Sequence, residues 1–121
     1  VGTDANLGNN SIYTSTDGTS WQQVAAVATP GTAATYGGAI DQVVYTNGYY
    51  FVNANGALYS GSSLSNLVAT GIAGGAAITG LQTTNHSLAV VGSTLYAIAT
   101  NTVSGYSVSP SASGTVASVA K

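Results

Sequence analysis

The sequence predicts an all-β fold built from antiparallel four-stranded repeats, and three observations predict it. Short runs of four to six residues, rich in Val, Tyr, Ile and Thr, alternate with turn residues, which is the pattern of strands. The dipeptide Asn47-Gly48 lies between two such runs and is a strong hairpin signal. Glycine and β-branched residues interrupt every window long enough for a helix, so no helix is predicted.

A repeat of about 46 residues divides the chain into units. Tyr50 aligns with Tyr96, and Tyr13 precedes Tyr59 by the same 46 residues. The units are a partial one at residues 1–27 and two complete ones at residues 28–73 and 74–121. Four short strands in about 40–50 residues are typical of one propeller blade, so we predict a single β-rich domain with an incomplete propeller-like ring. A β-sandwich and a β-solenoid are the alternative architectures.

Each unit has the same order of elements. An apolar run is followed by a turn of two or three residues and a second run, and a turn with Asn or Gly leads to a third run that carries a tyrosine. A polar loop then leads to the fourth run. The predicted first runs are Val43–Tyr45 and Leu88–Val91, the second runs Tyr49–Val52 and Leu95–Ala99, and the fourth runs Trp21–Val27, Leu67–Thr70 and Thr115–Val119.

Residues 15–21, Ser-Thr-Asp-Gly-Thr-Ser-Trp, form the most distinctive turn. The side chain of Asp17 can accept backbone N–H bonds from its own turn, and Gly18 permits a positive φ. We expect the indole of Trp21 to cover the turn and to fill the space between strands. The sequence therefore predicts a structural turn made by Ser15, Asp17, Gly18 and Trp21.

This turn resembles the Asp-box hairpin of sialidase-like and BNR-repeat propellers, with one residue fewer between Asp and Trp. Two further segments, Gly61–Leu67 and Val108–Val116, hold the same place in the other units but lack the Asp and the Trp. In that family the Asp-box is a structural feature of the outer rim, away from the active site. The resemblance therefore implies a role for Asp17 in the fold rather than in catalysis.

The near absence of charge excludes several classes of function. The charged residues are Asp4, Asp17, Asp41 and Lys121, and the chain has no Arg, Glu or Cys. Nucleic-acid binding needs a basic surface that one lysine cannot supply. Without cysteine there is neither a disulfide framework nor a thiolate metal site, and no apolar run approaches the roughly 20 residues of a membrane span.

Residues for catalysis are also scarce, so we predict no enzymatic activity, no metal and no cofactor. Glycoside hydrolysis needs paired carboxyl groups, or a tyrosine nucleophile with a carboxylate, and sialidases also bind their substrates with several arginines. His86 could formally join a Ser-His-Asp triad, but no Gly-x-Ser-x-Gly elbow accompanies it. Residues 4–10 place oxygen ligands at alternate positions but lack the closing acid of a calcium loop.

An incomplete ring with uncharged edges predicts either that another subunit supplies the missing strands or that the chain is one piece of a longer or split protein. Either alternative makes the chain a part of an assembly. We expect a structural subunit of a secreted or cell-surface assembly, such as a filament, pilus or fibre, joined by strand edges and apolar contacts. Its partners would be copies of itself or a second structural chain. The residues predicted to contact other subunits lie near the termini: Val1, Gly2, Thr3, Val116 and Val119.

The alternative function is an extracellular carbohydrate- or ligand-binding module, with a propeller hydrolase fragment as a weaker alternative. The tyrosines that could form a sugar-stacking surface are Tyr45, Tyr49, Tyr50 and Tyr59. A composition rich in Ser, Thr, Ala and Gly and poor in Lys is common in extracellular proteins. Asn9 and Asn85 each begin an Asn-x-Ser pattern that accepts glycans.

Overall fold

The computed structural model describes residues 2–4, 9–11, 13–23, 40–64, 67–73, 75–82, 86–99, 102–109, 116 and 118–121. These residues contain strands and no helix, which confirms the all-β prediction. The strands are β1 (Gly2–Asp4), β2 (Asn9–Ser11), β3 (Tyr13–Thr14), β4 (Gln22–Gln23), β5 (Ile40–Thr46), β6 (Tyr49–Ala54), β7 (Ala57–Gly61), β8 (Val68–Ala69), β9 (Gly71–Ile72), β10 (Leu88–Val91), β11 (Thr94–Ala99), β12 (Thr102–Ser107) and β13 (Ser118–Val119).

Two antiparallel sheets form the centre of the described structure. One has four strands in the order β5-β6-β7-β8, and the other has three in the order β10-β11-β12. Three two-stranded sheets accompany them, the antiparallel pairs β1–β2 and β3–β4 and the parallel pair β9–β13. Within the described residues no sheet closes on itself.

Tight turns join the strands of the four-stranded sheet. Asn47 and Gly48 both have positive φ, 51° and 88°, and connect β5 to β6. Asn55 and Gly56, with φ of 50° and 83°, connect β6 to β7 in the same way. Positive φ at both central residues defines the hairpin turn that Asn-Gly favours, because asparagine tolerates this region and glycine has no Cβ. The predicted hairpin at Asn47-Gly48 is therefore confirmed.

The two central sheets pair their strands in the same way, 45 residues apart. In the four-stranded sheet, Tyr45 lies opposite Tyr50, and Tyr50 lies opposite Gly61. Adding 45 to each of these numbers gives three residues of the other sheet that lie opposite one another in the same way. The corresponding residues in the second sheet are Val90, Leu95 and Tyr106. Leu95, not Tyr96, thus takes the place of Tyr50, one residue away from the predicted alignment.

The short turn of the second hairpin explains this difference. Two residues, Gly92 and Ser93, connect β10 to β11, and Thr94 already belongs to β11. The predicted runs Leu88–Val91 and Leu95–Ala99 had placed a turn of three residues there, 92–94. A one-residue change of register moves every side chain of a strand to the other face of its sheet. The sequence alignment therefore placed Tyr96 on the face opposite to the one that it occupies.

The main core lies between the two central sheets. Tyr49, Phe51 and Leu58 extend from one face of the four-stranded sheet into a cluster with Leu95 and Tyr106 of the other sheet. We call the face of β10–β12 that enters this cluster its inner face. A second, smaller cluster lies on the opposite side of the four-stranded sheet and consists of Val52, Ala54, Leu64 and Leu67, with Val43, Tyr50 and Tyr59 packed against it.

Side-chain hydrogen bonds also join the two central sheets, at the hairpin turns, just after β12 and between β5 and β10. The hydroxyl of Thr46 donates to the carbonyl of Gly92 at 2.6 Å, and the side-chain amide of Asn47 donates to the carbonyl of Val108 at 2.7 Å. The backbone N–H of Leu88 donates to the side chain of Gln42 at 2.9 Å. These bonds hold one sheet directly over the other.

The C-terminal strand contributes to this core. Strand β13 pairs in parallel with β9, and Ala120 forms an antiparallel bridge with Ser107. Val116 and Val119 are buried, with exposed fractions of 3% and 2%. Their prediction as contacts to other subunits is therefore wrong, because burying these apolar side chains in the chain's own core removes them from water at no cost in association entropy.

For Gly2 and Thr3, the described contact residues at the N-terminal end, the role of subunit contact stays a prediction. Gly2 and Thr3 belong to β1, whose partner is β2 of the same chain. Val1 lies outside the described residues, as do Asn85 and residues 24–39.

Candidate functional site

The turn at residues 15–20 connects β3 to β4 and is closed by its own side chains. One carboxylate oxygen of Asp17 accepts hydrogen bonds from the backbone N–H groups of Thr19 and Ser20, both at 2.8 Å. The hydroxyl of Ser15 donates to the same oxygen at 3.0 Å and accepts the N–H of Gly18 at 2.8 Å. Gly18 has a φ of 77°, so the turn uses the positive φ that glycine permits.

These bonds keep the Asp17 carboxylate ionised. The backbone N–H groups of Ser20 and Thr19, and then the hydroxyl of Ser15, hold the pKa of Asp17 well below its usual range. A general acid or base needs a pKa near the working pH, which usually means a raised carboxyl pKa. Asp17 has the opposite shift and is exposed, as expected for a carboxylate that accepts the hydrogen bonds of its own turn.

Trp21 does not pack beneath this turn. Its side chain is 60% exposed, so the expectation that it fills the space between strands is wrong. Among the described residues, β3 and β4 pair only with each other and no further strand extends their sheet. The residues of the motif determine the turn. Burial of the indole would need another sheet or loop packed over β3 and β4, which the sequence of the motif does not specify.

A small cavity lies beside the turn and is lined by polar groups. Its volume is about 180 Å³, and its lining residues are Thr14, Ser15, Thr16, Ser20 and Gln22. None of these side chains is ionisable near neutral pH or a thiol. Groups of three or more His, Cys, Asp or Glu that could hold a metal ion do not occur within the described residues. The cavity therefore offers hydroxyl and amide contacts.

The four tyrosines predicted as a sugar-stacking surface do not lie on one face. Tyr49 is buried in the main core, whereas Tyr45 is 57% exposed. Tyr45 and Tyr50 form an edge-to-face pair across β5 and β6, with ring centroids 4.8 Å apart. Tyr59 lies on the same side as Tyr50 and packs on the smaller cluster. Tyr49 cannot belong to the same surface as Tyr50, because neighbouring residues of a strand point to opposite faces of the sheet.

An exposed apolar surface occurs on the three-stranded sheet, where sequence reasoning predicted no site. We call it the outer face, because its side chains point away from the main core. Its large apolar residues are Val91, Tyr96, Ile98 and Val103, which are 67%, 39%, 39% and 64% exposed.

A sequence signal for this surface exists. The run Leu-Tyr-Ala-Ile-Ala at residues 95–99 is apolar at every position, which is typical of a strand that is covered on both faces. The described structure covers the inner face of this strand, whereas Tyr96 and Ile98 on the outer face stay 39% exposed.

Comparisons with known proteins add no relative to this description. The chain matches no family model, no curated protein and no solved structure. A helix able to cross a membrane does not occur in the described part of the chain. The resemblance to an Asp-box thus rests on residues 15–21 themselves.

Proposed function

We propose that this protein is a non-enzymatic structural subunit of a secreted or cell-surface assembly, such as a filament, pilus or fibre. The observation that carries the proposal is a set of incomplete sheets in a chain with four charged residues. The β1–β2 pair has no third strand in the described part of the chain. Within the described residues, the second edge of β12 pairs only at Ser107, with Ala120.

Open edges of this kind favour the addition of strands from other chains. An unpaired edge presents rows of N–H and C=O groups, and soluble proteins commonly protect such edges with lysine or other charged side chains. The one lysine of this chain is Lys121, and the net charge is −2. Repulsion between copies is therefore weak, and main-chain hydrogen bonds across chains can form.

The common pairing of the two central sheets supports a propeller-like arrangement. The 45-residue spacing and the direct packing of one sheet on the other are the relations that successive blades have. Propellers need at least four blades, whereas the predicted repeat gives two full-length units and a partial one, and the central sheet of the second full-length unit has three strands in the described structure. In this proposal other chains, which are copies of this one or a second structural chain, pair with the open edges of these sheets.

Sedimentation velocity over a range of protein concentrations tests this function. We expect the full chain to associate as its concentration rises. Removal of residues 1–10 takes away β1 and most of β2, and should weaken association far more than the point replacements His86→Ala or Asp41→Asn. A chain that stays monomeric at high concentration, with slow amide exchange at its strand edges, would contradict the proposal.

A carbohydrate- or ligand-binding module is the second candidate, and the exposed ring of Tyr45 favours it. A ring that is free on one side can stack on a sugar. A glycan array with the wild-type chain and Tyr45→Ala tests this function, with Tyr96→Ala as the matched control on a different sheet. Binding that is lost only in Tyr45→Ala would establish it, and an array without any binding would exclude it for the sugars tested.

The extracellular location and the glycan sites belong to the same proposal. The composition supports secretion, and Asn9 lies in β2 at the start of an Asn-x-Ser pattern. We propose glycan attachment at Asn9 or at Asn85, which lies outside the described residues. Mass measurement before and after glycosidase treatment tests this assignment.

A further inference from the structure

We propose that the outer face of β10–β12 is the docking surface for a second copy of this chain, whose β3–β4 hairpin packs its Trp21 on that face. This inference rests on the proposed role as an assembly subunit and deepens it by naming the two surfaces that meet. We call the side of the hairpin that carries Trp21 the Trp21 side. The contact between copies would join the same two kinds of surface as the contact between the two central sheets.

The β3–β4 hairpin has the strand pairing of β7 and β8. Adding 46 to the numbers of its residue pairs, 13 with 23 and 14 with 22, gives the pairs of β7 with β8. By the same spacing, Trp21 takes the place of Leu67. Leu67 is buried in the smaller cluster, whereas Trp21 is exposed. The hairpin therefore presents a large apolar side chain at a position that the next unit buries.

The outer face likewise corresponds to a surface that the chain buries. Thr46, Phe51 and Leu58 lie on one side of the four-stranded sheet, and each is 4% exposed or less. At the 45-residue spacing, residues 91, 96 and 103 take their places in β10–β12 and are exposed. A side that is covered in one central sheet is thus left open in the other.

The internal contact shows which kinds of surface meet. The Phe51 side of the four-stranded sheet packs on the inner face of β10–β12, which carries Leu95 and Tyr106. The outer face is the counterpart of that Phe51 side. Tyr50 packs on the cluster of Leu67, and Leu95 takes the place of Tyr50 in β11, so the Trp21 side is the counterpart of the inner face. Docking of the Trp21 side on the outer face therefore repeats the internal combination, head to tail.

The exposed apolar side chains favour a second copy of this chain as the partner. Six large apolar side chains are exposed in the described part of the chain, and all but Tyr45 belong to the outer face or to the Trp21 side. Tyr45 pairs with Tyr50 on a side of the sheet that the smaller cluster covers. Each copy thus carries both an apolar face and an aromatic side chain that can pack on such a face, and contiguous exposed apolar surfaces are typical of interaction sites.

The shape and charge of the two surfaces suit this contact. An added Cβ at Gly105 would come within 3.1 Å of the Tyr96 ring, so this ring lies across the sheet over Gly105. We expect the indole of Trp21 to pack on the ring, because aromatic pairs attract and tryptophan is enriched at the centres of interfaces. Strands β10–β12 contain no charged residue, and the Asp17 carboxylate of the hairpin is bonded to its own turn. Docking therefore leaves no ion without partners.

Association through this contact should be weak and should depend on concentration. One hairpin on a three-stranded face makes a small contact, and small contacts are typical of weak complexes. A head-to-tail contact closes a ring when its rotation allows and otherwise continues as a filament. The same pair of surfaces therefore serves either kind of assembly.

Two lysine variants test the pairing of surfaces. Val103→Lys places a charge on the outer face and leaves the Trp21 side intact, whereas Trp21→Lys does the reverse. The controls Thr102→Lys and Gln22→Lys put the same charge on the neighbouring exposed residue, whose side chain points to the opposite side. By sedimentation velocity, we expect each surface variant alone to associate roughly tenfold more weakly or worse than the wild type, because burial of a charge is costly. Both controls should associate like the wild type.

A mixture of the two variants gives the decisive result. Equal amounts of Val103→Lys and Trp21→Lys should form pairs of unlike chains in excess over pairs of like chains, measured by native mass spectrometry. The reason is that the Trp21 side of the first variant can still dock on the outer face of the second. Circular dichroism melting of each variant shows whether it is folded. For a variant that is not, Val103→Ser or Trp21→Ala takes its place and should show the same loss to a smaller degree.

Three results would overturn this inference while leaving the proposed function in place. One is a mixture without an excess of unlike pairs, and another is a folded Val103→Lys chain that assembles like the wild type. The third is a folded Trp21→Lys chain that does so, which would indicate that two outer faces meet or that the contact lies elsewhere. A wild-type chain that stays monomeric at high concentration would instead remove the proposed function, and this inference with it.

Discussion

The Asp17 carboxylate is held by two backbone N–H groups and one hydroxyl of its own turn. These bonds favour the ionised form and lower the pKa of Asp17. Because the pKa in the folded chain is lowered, the carboxylate stabilises the turn fully above the ordinary aspartate pKa. This contribution is lost as the pH falls through the lowered value.

We therefore predict that the Asp17 carboxyl group titrates well below the ordinary aspartate range. Carbon-detected NMR of the carboxyl group gives the pKa, and amide exchange of Thr19 and Ser20 gives the state of the turn. In the control Asp17→Asn, the exchange of both amides should be faster, and its dependence on the charge of residue 17 should vanish. An ordinary aspartate titration would contradict the turn geometry.

A comparison of two aromatic substitutions tests the exposure of Trp21. Because the indole is 60% exposed, we expect Trp21→Ala to change the free energy of unfolding by less than about 1 kcal/mol. Phe51 is fully buried in the main core, and Phe51→Ala should cost about 3–5 kcal/mol. Denaturant melts followed by circular dichroism measure both values. Equal costs for the two variants would mean that the indole is buried after all.

Sequence reasoning at the scale of single residues succeeds where the bonds are local. The Asp17 turn is closed by residues within three positions of it, so its chemistry can be inferred from the motif. Whether Trp21 is buried or exposed could not be inferred from the motif, because it depends on whether another sheet lies over β3 and β4. The separation of Tyr49 from Tyr50 could have been inferred, because adjacent strand residues point to opposite faces.

At the scale of strands and turns, one buried side chain joins several elements. Asn53 in β6 donates to the carbonyl of Gln82 at 2.7 Å and to the hydroxyl of Ser87 at 2.5 Å. It also accepts the N–H of Gly56, in the turn to β7, at 3.0 Å. A single amide thus fixes the β6–β7 turn and attaches the segment before β10 to it.

We predict that Asn53→Ala lowers the free energy of unfolding by about 1–3 kcal/mol, because it leaves the buried N–H of Gly56 without its partner. Ser87→Ala removes the hydroxyl that accepts from Asn53 but keeps the Asn53 amide and its bond to the N–H of Gly56, so its cost should be smaller. Equilibrium urea unfolding of the two variants and the wild type measures this order. The reverse order would show that Asn53 does not organise the network.

Hairpins could be predicted from the sequence, but their register could not. Asn47-Gly48 specifies both the turn and the pairing of β5 with β6, because only a few residues tolerate positive φ. At Gly92-Ser93-Thr94 a three-residue turn was predicted, whereas the structure has a two-residue turn and Thr94 belongs to β11. That single residue decided which face of β11 carries Tyr96, and the outer face could be recognised only once the strand pairing was known.

At the scale of the whole molecule, the low charge predicts how assembly responds to salt. Contacts made by apolar faces and main-chain groups are little screened, whereas contacts between charged surfaces weaken as salt is added. We expect the dissociation constant of the assembly to change by less than about twofold between low and high salt. Sedimentation at two salt concentrations measures this, and a strong loss of association at high salt would indicate a charged contact.

The all-β class of the described residues follows from the sequence, because glycine and β-branched residues interrupt every window long enough for a helix. The role of the C-terminal segment does not follow. Val116 and Val119 suit either a partner or the chain's own core, and only the packing against β9 and β12 distinguishes the two. Long-range pairing of this kind leaves no trace in local spacing.

The exposure of Trp21 also gives the chain a built-in optical reporter. Its indole is the one tryptophan of the sequence and faces water, so its emission should be red-shifted and open to quenching by acrylamide in the folded chain. Because the indole is already exposed, unfolding should change its emission little. A ligand or protein that covers β3 and β4 would remove water from the indole and should shift its emission to the blue. The tryptophan fluorescence of this chain thus reports binding near the turn. The near-ultraviolet circular dichroism of its buried tyrosines reports whether the core is folded.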